Sequence, residues 1–220
     1  VPSIRVSICI PVTFEDIYTG WLLRALSSIT MQTVPPVQVI LGVADNHTSL
    51  DALTEYCQYI PKQAACLVSA EVQTLTQGAN KNRVMDSATG DVIAFFDADD
   101  IMHRLRIELI QKRFQNTRLA VLLHGHASAA LDVDNITGVP LSSLVHRSED
   151  ICARHRDAQM AHRNYLKSKN LNWPITHGHA SFRTNFMRSM RLHFQEDGRG
   201  EDSELVLAAL KRICDSSDWQ

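Results

Sequence analysis

The sequence predicts an α/β fold with a mostly parallel central sheet and helices on both of its faces. Short apolar runs alternate with amphipathic stretches of helical period from the first residues to residue 127, as strand–helix–strand units require. The apolar runs also lack a polar face, which is typical of strands that are buried between two layers of helices.

Each predicted element has a local signal. The first strand, 4–12, is rich in β-branched residues. The helix after it, 18–33, has apolar residues at helical spacing and ends before a Pro-Pro pair. Gly90 is placed to cap the C-terminus of a helix over 76–90. The remaining predicted strands are 37–43, 64–70, 91–100 and 119–127, and the remaining predicted helices are 49–60 and 103–116.

Beyond the fifth predicted strand the alternation breaks. We expect a strand and a short helix over 175–187, and a last helix that starts near Asp202 with its apolar residues on one face. The length suits one domain over 1–220, with a first half, 1–127, that carries the strand–helix units and a second half, 128–220, that does not.

The composition excludes several classes of function. A formal net charge of -2, with 22 basic and 24 acidic residues, gives no basic excess for nucleic-acid phosphates. No apolar run approaches the roughly 20 residues that span a bilayer. The five cysteines are odd in number and form no CxxC pair, so we expect no disulfide framework, no structural zinc and a reducing compartment, the cytoplasm. The chain starts at Val1, and its polar ending would suit a linker within a longer parent chain.

The segment DVIAFFDADD, residues 91–100, places three aspartates directly after a buried apolar run. In open α/β sheets ligands bind beyond the carboxyl ends of strands, where Asp97, Asp99 and Asp100 are expected. Because neighbouring carboxylates repel each other, a hard divalent cation such as Mg²⁺ or Mn²⁺ is the simplest way to offset their charge. The alternative is that these aspartates cap the following turn and helix, which explains one or two of them.

Five blocks of the sequence resemble, in order and spacing, those of family 2 glycosyltransferases with the GT-A fold: VSICIPVTFED, LLRALSSITMQT, VQVILGVADN, GANKNRVMDSATGDVIAFFDADD and GEDSEL. The chain resembles minimal members of the family from large algal viruses and bacteria. The resemblance implies a single GT-A domain whose first half binds a nucleotide-sugar and whose second half binds the acceptor and supplies the catalytic base. It also implies metal-dependent, inverting transfer from a UDP-sugar to a hydroxyl of a glycan or glycoconjugate. The absence of a QxxRW motif favours transfer of a single hexose.

The resemblance implies roles for individual residues of the donor site. Asp45 would accept a hydrogen bond from the uracil base, and Asp97 would contact the ribose. Asp99 would ligate Mn²⁺ or Mg²⁺, with Asp97 as a further metal ligand. Independently of the resemblance, His193 is a candidate for a third metal ligand. The whole predicted donor-binding set is Pro11, Thr13, Glu15, Asp45, Lys81, Asn82, Arg83, Asp97, Ala98 and Asp99.

The GEDSEL block supplies the predicted base. The resemblance implies that Asp202 deprotonates the acceptor hydroxyl, while Glu201 orients Asp202 or binds the acceptor. Without the resemblance, Asp202 reads as a helix N-cap. Arg183 is either a ligand for phosphate or a solvated residue on a helix face.

Two other functions are compatible with the sequence. A sugar nucleotidyltransferase shares the α/β layout and the metal carboxylates, but it normally carries a basic, glycine-rich loop after the first strand, and PVTFEDIYTG contains no basic residue. A non-catalytic module that binds a nucleotide-sugar or a glycan would bind donor without transferring the sugar.

Overall fold

The computed structural model describes residues 3–44, 50–71, 75–124, 180–196, 201–216 and 219. The six strands of its sheet are β1 (Val6–Val12), β2 (Gln38–Ala44), β3 (Ala65–Glu71), β4 (Val92–Phe95), β5 (Val121–Leu123) and β6 (Ala180–Arg183). They lie in the order β3-β2-β1-β4-β6-β5. The first four strands pair in parallel, and β6 is antiparallel to both of its neighbours. The predicted α/β class with a mostly parallel sheet is confirmed.

Helices cover both faces of this sheet, as predicted. The helices are α1 (Phe14–Tyr18), α2 (Trp21–Thr30), α3 (Leu50–Tyr56), α4 (Gln77–Asp86), α5 (Arg106–Phe114), α6 (Thr184–Ser189) and α7 (Glu201–Cys214). Ile8 and Ile10 of β1 belong to the core layer beneath α2 and α5, and Cys9 between them belongs to the layer beneath α4, α6 and α7. Within the described part of the chain no helix is long and apolar enough to cross a membrane.

The helix predicted over 18–33 is confirmed as α2, but it starts three residues later and ends three residues earlier than predicted. Thr13 starts a separate five-residue helix, α1, and Gly20 then turns the chain into α2 with a φ of 77°. This left-handed conformation suits glycine, which adopts a positive φ about as readily as a negative one because it has no Cβ. The break therefore follows from a single residue within an otherwise helical pattern.

Gly90 is not the cap of α4, which is a second correction. The helix ends at Asp86, and Ser87 is its C-cap. Gly90 is buried against β1, where its N–H donates to Ser7 Oγ at 2.9 Å. A Cβ on Gly90 would press on the main chain of Arg5 and Ser7, so this glycine is needed for close packing at the start of β4.

We expected no disulfide framework, but the structure contains a disulfide. Cys57, in the 3-10 turn Cys57–Tyr59 that follows α3, is bonded to Cys66 of the edge strand β3. Cys9 is buried and free. An oxidised pair does not match the reducing compartment that we inferred from the cysteines, so a cytoplasmic location stays a prediction.

Candidate functional site

The predicted acidic motif lies at the carboxyl edge of the sheet. After β4 the ladder to β1 continues for one more bond, from Phe96 N to Cys9 O at 3.0 Å. The chain then forms a turn that is closed by a bond from Asp100 N to Asp97 O at 3.2 Å. Asp97 is half-buried and Asp99 is exposed. A ligand that sits beyond the strand ends would therefore meet both carboxylates.

Asp16, which we did not predict as a site residue, adds a third carboxylate at this edge. Its Oδ2 accepts hydrogen bonds from Thr13 N at 2.7 Å and Thr13 Oγ1 at 2.8 Å, as in a capping box. Burial raises the pKa of Asp16, and the charges of Asp99 and Asp97 raise it further against the effect of these bonds. Asp16 is therefore within electrostatic range of the acidic turn. A capping-box spacing in TFED was the signal that could have identified Asp16.

The predicted residues at the end of β1 reach the same edge. Pro11 is half-buried and lies opposite Gly42 of β2 in the sheet register. Thr13 is the N-cap of α1, and Glu15 is exposed in the first turn of that helix. The structure thus brings Pro11, Thr13 and Glu15 to the strand ends that carry the acidic motif.

Ala98 and the chemistry of the carboxylates bear on whether a metal fits. Ala98 is 3% exposed, lies between Asp97 and Asp99 and has no polar side chain. The side-chain oxygens that these three residues offer to a metal ion are therefore those of the two carboxylates. Within the described residues no three His, Cys, Asp or Glu side chains form a metal-holding group. Mg²⁺ and Mn²⁺ are nevertheless suited to such a site, because Mg²⁺ commonly takes one or two carboxylates together with substrate phosphates and water.

Lys81 of α4 is fully buried, with 0% of its surface exposed. Its Nζ lies 5.4 Å from the centroid of the Phe194 ring, a distance at which the ring face stabilises a cation. Burial of a charged group is costly unless it is paired, so the contact with the Phe194 ring offsets part of that cost.

Asn82 ties α4 to the segment that precedes α7. Its Nδ2 donates to Phe194 O at 3.0 Å and to Glu196 Oε1 at 3.1 Å, and its Oδ1 accepts from Phe194 N at 2.7 Å. Gly78, one turn earlier, lies directly against Gln195 O, and a Cβ there would collide with that main-chain atom. The face of α4 that carries Gly78 and Asn82 therefore fixes the path of residues 194–196.

Arg83 braces the ends of β2 and β3. Its Nη1 donates to Ser69 Oγ at 2.7 Å, and its Nη2 donates to Val43 O and to Asn80 Oδ1, both at 2.7 Å. Burial lowers the pKa of Arg83, against the opposing charge of Glu71. The guanidinium thus lies where β2 ends, and these three bonds join it to β2, β3 and α4.

Other predicted site residues are placed only in part. Asp45 lies in 45–49, outside the described residues. The main chain of Glu201 and Asp202 begins α7, as the sequence predicted, but their side chains lie outside the description. His193 is exposed, next to the segment that α4 holds.

Arg183 has neither of the two roles that we considered. Its Nε donates to Leu119 O at 2.8 Å, and its Nη2 donates to Phe114 O at 2.8 Å and Asn116 O at 2.7 Å. The guanidinium therefore satisfies carbonyl groups at and beyond the C-terminus of α5. It is a buried structural residue of β6.

Comparison with known sequences assigns the chain to a family. The sequence model described as Glycosyl transferase family 2 matches residues 7–192, most of the chain. The chain belongs to glycosyl transferase family 2. This agrees with the resemblance drawn from the ordered sequence blocks. The matched residues of family 2 include the acidic turn and α4 but end before His193 and before Glu201 and Asp202 in α7.

Individual family 2 relatives are distant. An uncharacterized glycosyltransferase from Nostoc sp. is 29% identical over 110 residues, which are 49% of this chain and 33% of the relative. The chain thus spans about a third of that relative's length.

Solved structures share the GT-A fold. Residues 1–349 of TarS from S. aureus, in complex with UDP-GlcNAc, match with a TM-score of 0.66 and 16% identity over 94% of this chain and 53% of TarS. The mannosyltransferase PcManGT from Pyrobaculum calidifontis, in complex with GDP-Man and Mn²⁺, matches with a TM-score of 0.58 and 18% identity over 93% of this chain and 51% of PcManGT. These likenesses establish the fold.

Proposed function

We propose that this family 2 chain is a metal-dependent inverting glycosyltransferase that transfers one hexose from a UDP-sugar to a hydroxyl of a glycan or glycoconjugate. The observation that carries the proposal is the turn beyond β4, which holds Asp97 and Asp99 at the carboxyl edge of the sheet beside Asp16. Two proteins with this fold have been solved with nucleotide-sugars, TarS with UDP-GlcNAc and PcManGT with GDP-Man and Mn²⁺. These complexes support a nucleotide-sugar as the donor.

In this proposal the donor lies across the ends of β1, β2 and β4. Asp97 would contact the ribose, and Asp45 would accept a hydrogen bond from uracil. The other predicted donor residues, Pro11, Thr13, Glu15, Lys81, Asn82, Arg83 and Ala98, would border the pocket or support its wall. The fixed bonds of Asn82 and Arg83 favour the supporting role for these two residues.

Asp99 and Asp97 would provide the protein ligands for Mn²⁺ or Mg²⁺, and the donor diphosphate and water would complete them. His193 stays a predicted third ligand, since the described residues do not group it with the two aspartates. Bound there, such an ion would neutralise the charge that develops on the leaving diphosphate. Asp202 would accept the proton of the attacking acceptor hydroxyl, and Glu201 would orient Asp202 or bind the acceptor. Inversion follows, because the acceptor would attack the anomeric carbon on the face opposite the diphosphate.

Thermal shift with nucleotide-sugars tests donor and metal together. UDP-sugars, with GDP-Man as the competing donor, are added with and without Mn²⁺, since a ligand at 100 times its Kd stabilises the folded state by about 2.7 kcal/mol. We expect a UDP-sugar to raise the Tm only when Mn²⁺ is present. Asp99→Asn should abolish the shift, whereas Asp86→Asn, an exposed aspartate in the last turn of α4, should retain it. A full shift in Asp99→Asn would contradict the metal site.

The base is tested separately from donor binding. Asp202→Asn should keep the thermal shift but lose about 10²- to 10⁴-fold in transfer rate, because only proton removal is lost. NMR of the product would give the anomeric configuration. Retention of configuration, or near-normal transfer by Asp202→Asn, would show that the mechanism is wrong.

A further inference from the structure

Two arginines from neighbouring helices hold the main chain of the acidic turn. Arg24 of α2 donates Nη2 to the carbonyl oxygen of Asp99 at 2.8 Å. Arg106, the first residue of α5, donates Nη2 to the carbonyl oxygen of Phe95 at 2.9 Å. One acceptor lies at the end of β4 and the other inside the turn, so the two guanidinium groups fix the turn from both sides. We refer to Arg24 and Arg106 as the arginine clamp.

The contact of Arg24 is the first of a series made by α2 and the residues that follow it. Ser28, four residues on and therefore on the same face of the helix, accepts a bond from Met102 N at 3.0 Å through its Oγ. Gln32, which lies just beyond the end of α2, donates Nε2 to His103 O at 2.9 Å. The chain that leaves the turn is thus bound at successive points by α2 and by the segment after it.

Arg106 also places a positive charge behind the carboxylates. Its Cζ lies 5.7 Å from the centroid of the Phe96 ring, which limits its movement. Burial lowers the pKa of Arg106 to about 10, while the charges of Asp100 and Asp97 act in the opposite direction. The group stays cationic at neutral pH and offsets part of the repulsion within the turn.

We propose that Arg24 and Arg106 are positioning residues that hold the carboxylates of Asp97 and Asp99 in the arrangement that binds a divalent cation. They act through the main chain of the turn and do not contact the donor. The proposal rests on the proposed metal-dependent function. Groups that orient metal ligands typically contribute about 10- to 100-fold to metal affinity, even though they do not bind the metal.

The sign of the effect separates positioning from simple electrostatics. Removing a positive charge beside a cation site would by itself strengthen Mn²⁺ binding, because like charges repel. If Arg24 instead positions the turn, Arg24→Met weakens Mn²⁺ binding. A rise in the Kd for Mn²⁺ therefore cannot come from the lost charge alone.

The matched control is Arg188 in α6. Its Nη2 donates to the main-chain oxygen of Ala88 at 2.8 Å, which is the same kind of bond at the opposite end of the sheet, before β4. Arg188→Met therefore removes an equivalent bond without touching the acidic turn. If removal of such a bond lowers the stability of the protein in general, the loss will be seen in both Arg24→Met and Arg188→Met.

The experiment is a Mn²⁺ titration of the 220-residue chain in the presence of UDP, with free Mn²⁺ measured by electron paramagnetic resonance. The Tm of each variant without metal is recorded beside it. We expect Arg24→Met to raise the Kd for Mn²⁺ about 10-fold, Arg24→Lys to fall between Arg24→Met and wild type, and Arg188→Met to stay within about 2-fold. Arg106→Lys, which keeps the charge but loses the planar donor group, should also raise the Kd.

Two results would overturn the proposal. One is a Kd in Arg24→Met that equals the wild-type value or falls below it. The other is an equal rise of the Kd in Arg24→Met and Arg188→Met. If the wild-type chain binds no Mn²⁺ with UDP, the proposed metal-dependent function fails and the clamp proposal fails with it. If wild type binds Mn²⁺ and Arg24→Met binds it with the same Kd, only the clamp proposal is overturned.

Discussion

The side chain of Asn82 binds the main chain of Phe194 in both directions, with Nδ2 donating to Phe194 O at 3.0 Å and Oδ1 accepting from Phe194 N at 2.7 Å. The two residues are 112 positions apart in the sequence. This pair joins α4, in the strand–helix half of the chain, to the segment that leads into α7. The segment around Phe194 is thus fixed to α4 by bonds to both of its main-chain groups.

Replacing Asn82 should therefore destabilise the protein. Asn82→Ala leaves the N–H and C=O of Phe194 without these bonds, and we expect the free energy of unfolding to fall by about 2 to 3 kcal/mol. Guanidinium unfolding measures this. Asn116→Ala is the control, because its exposed side chain makes a local bond to Arg118 N and should cost less than about 1 kcal/mol. Equal losses in the two variants would contradict this account.

Gly78→Ala should disturb the same junction by a different route. The new methyl group would collide with the main-chain oxygen of Gln195, which cannot rotate away as a side chain can. We expect a loss of about 1 to 3 kcal/mol in the free energy of unfolding, despite the better helix propensity of alanine. Gly20→Asn should cost less than Gly78→Ala, since no atom lies within 4 Å of the new Cβ and asparagine tolerates a positive φ better than most residues. A neutral Gly78→Ala variant would disprove the close contact.

The disulfide between Cys57 and Cys66 should contribute to stability. It closes a short loop between the 3-10 turn after α3 and the edge strand β3. Because such a cross-link lowers the entropy of the unfolded chain, we expect it to raise the free energy of unfolding by about 2 to 3 kcal/mol. Unfolding with and without reductant should differ by this amount in wild type. The double variant Cys57→Ser/Cys66→Ser should give the lower value in both conditions. If reductant has no effect on wild type, the bond does not form in solution.

The ion pair between Arg5 and Asp91 should make stability depend on pH. Burial tends to raise the pKa of Asp91, but the hydrogen bonds and charge of Arg5 outweigh burial, and the net pKa is lowered. A lowered folded pKa means that the contribution is present above the unfolded value, about 3.9, and is lost as the pH falls through the folded value. The stability difference between wild type and Asp91→Asn should therefore shrink between about pH 5 and pH 2. A constant difference over this range would exclude the linkage.

The strands were predictable because burial on both faces leaves a local mark in the sequence. β1, β2 and β3 each start within two residues of the predicted position. The place of β6 between β4 and β5 was not predictable, because strand order depends on contacts between distant segments. Gly90 was misread for the same reason: its role depends on β1, far away in the chain.

The site shows the same division. Three aspartates after a buried run identify the acidic turn from local sequence alone. The arginine clamp and the disulfide depend on proximity in space, and neither an isolated arginine nor an odd number of cysteines indicates a partner. Asp16 is intermediate, since its capping box is local but its closeness to Asp97 and Asp99 is not.

The position of β6 has a consequence for how the protein is made. Ser181 lies opposite Ala94 on one side and Leu122 on the other, so β4 and β5 are joined only through a strand that is synthesised later. A nascent chain that ends at residue 124 would present two unpaired strand edges as it leaves the ribosome. Such edges invite intermolecular pairing, and the risk persists until residue 183 has emerged and the gap is filled.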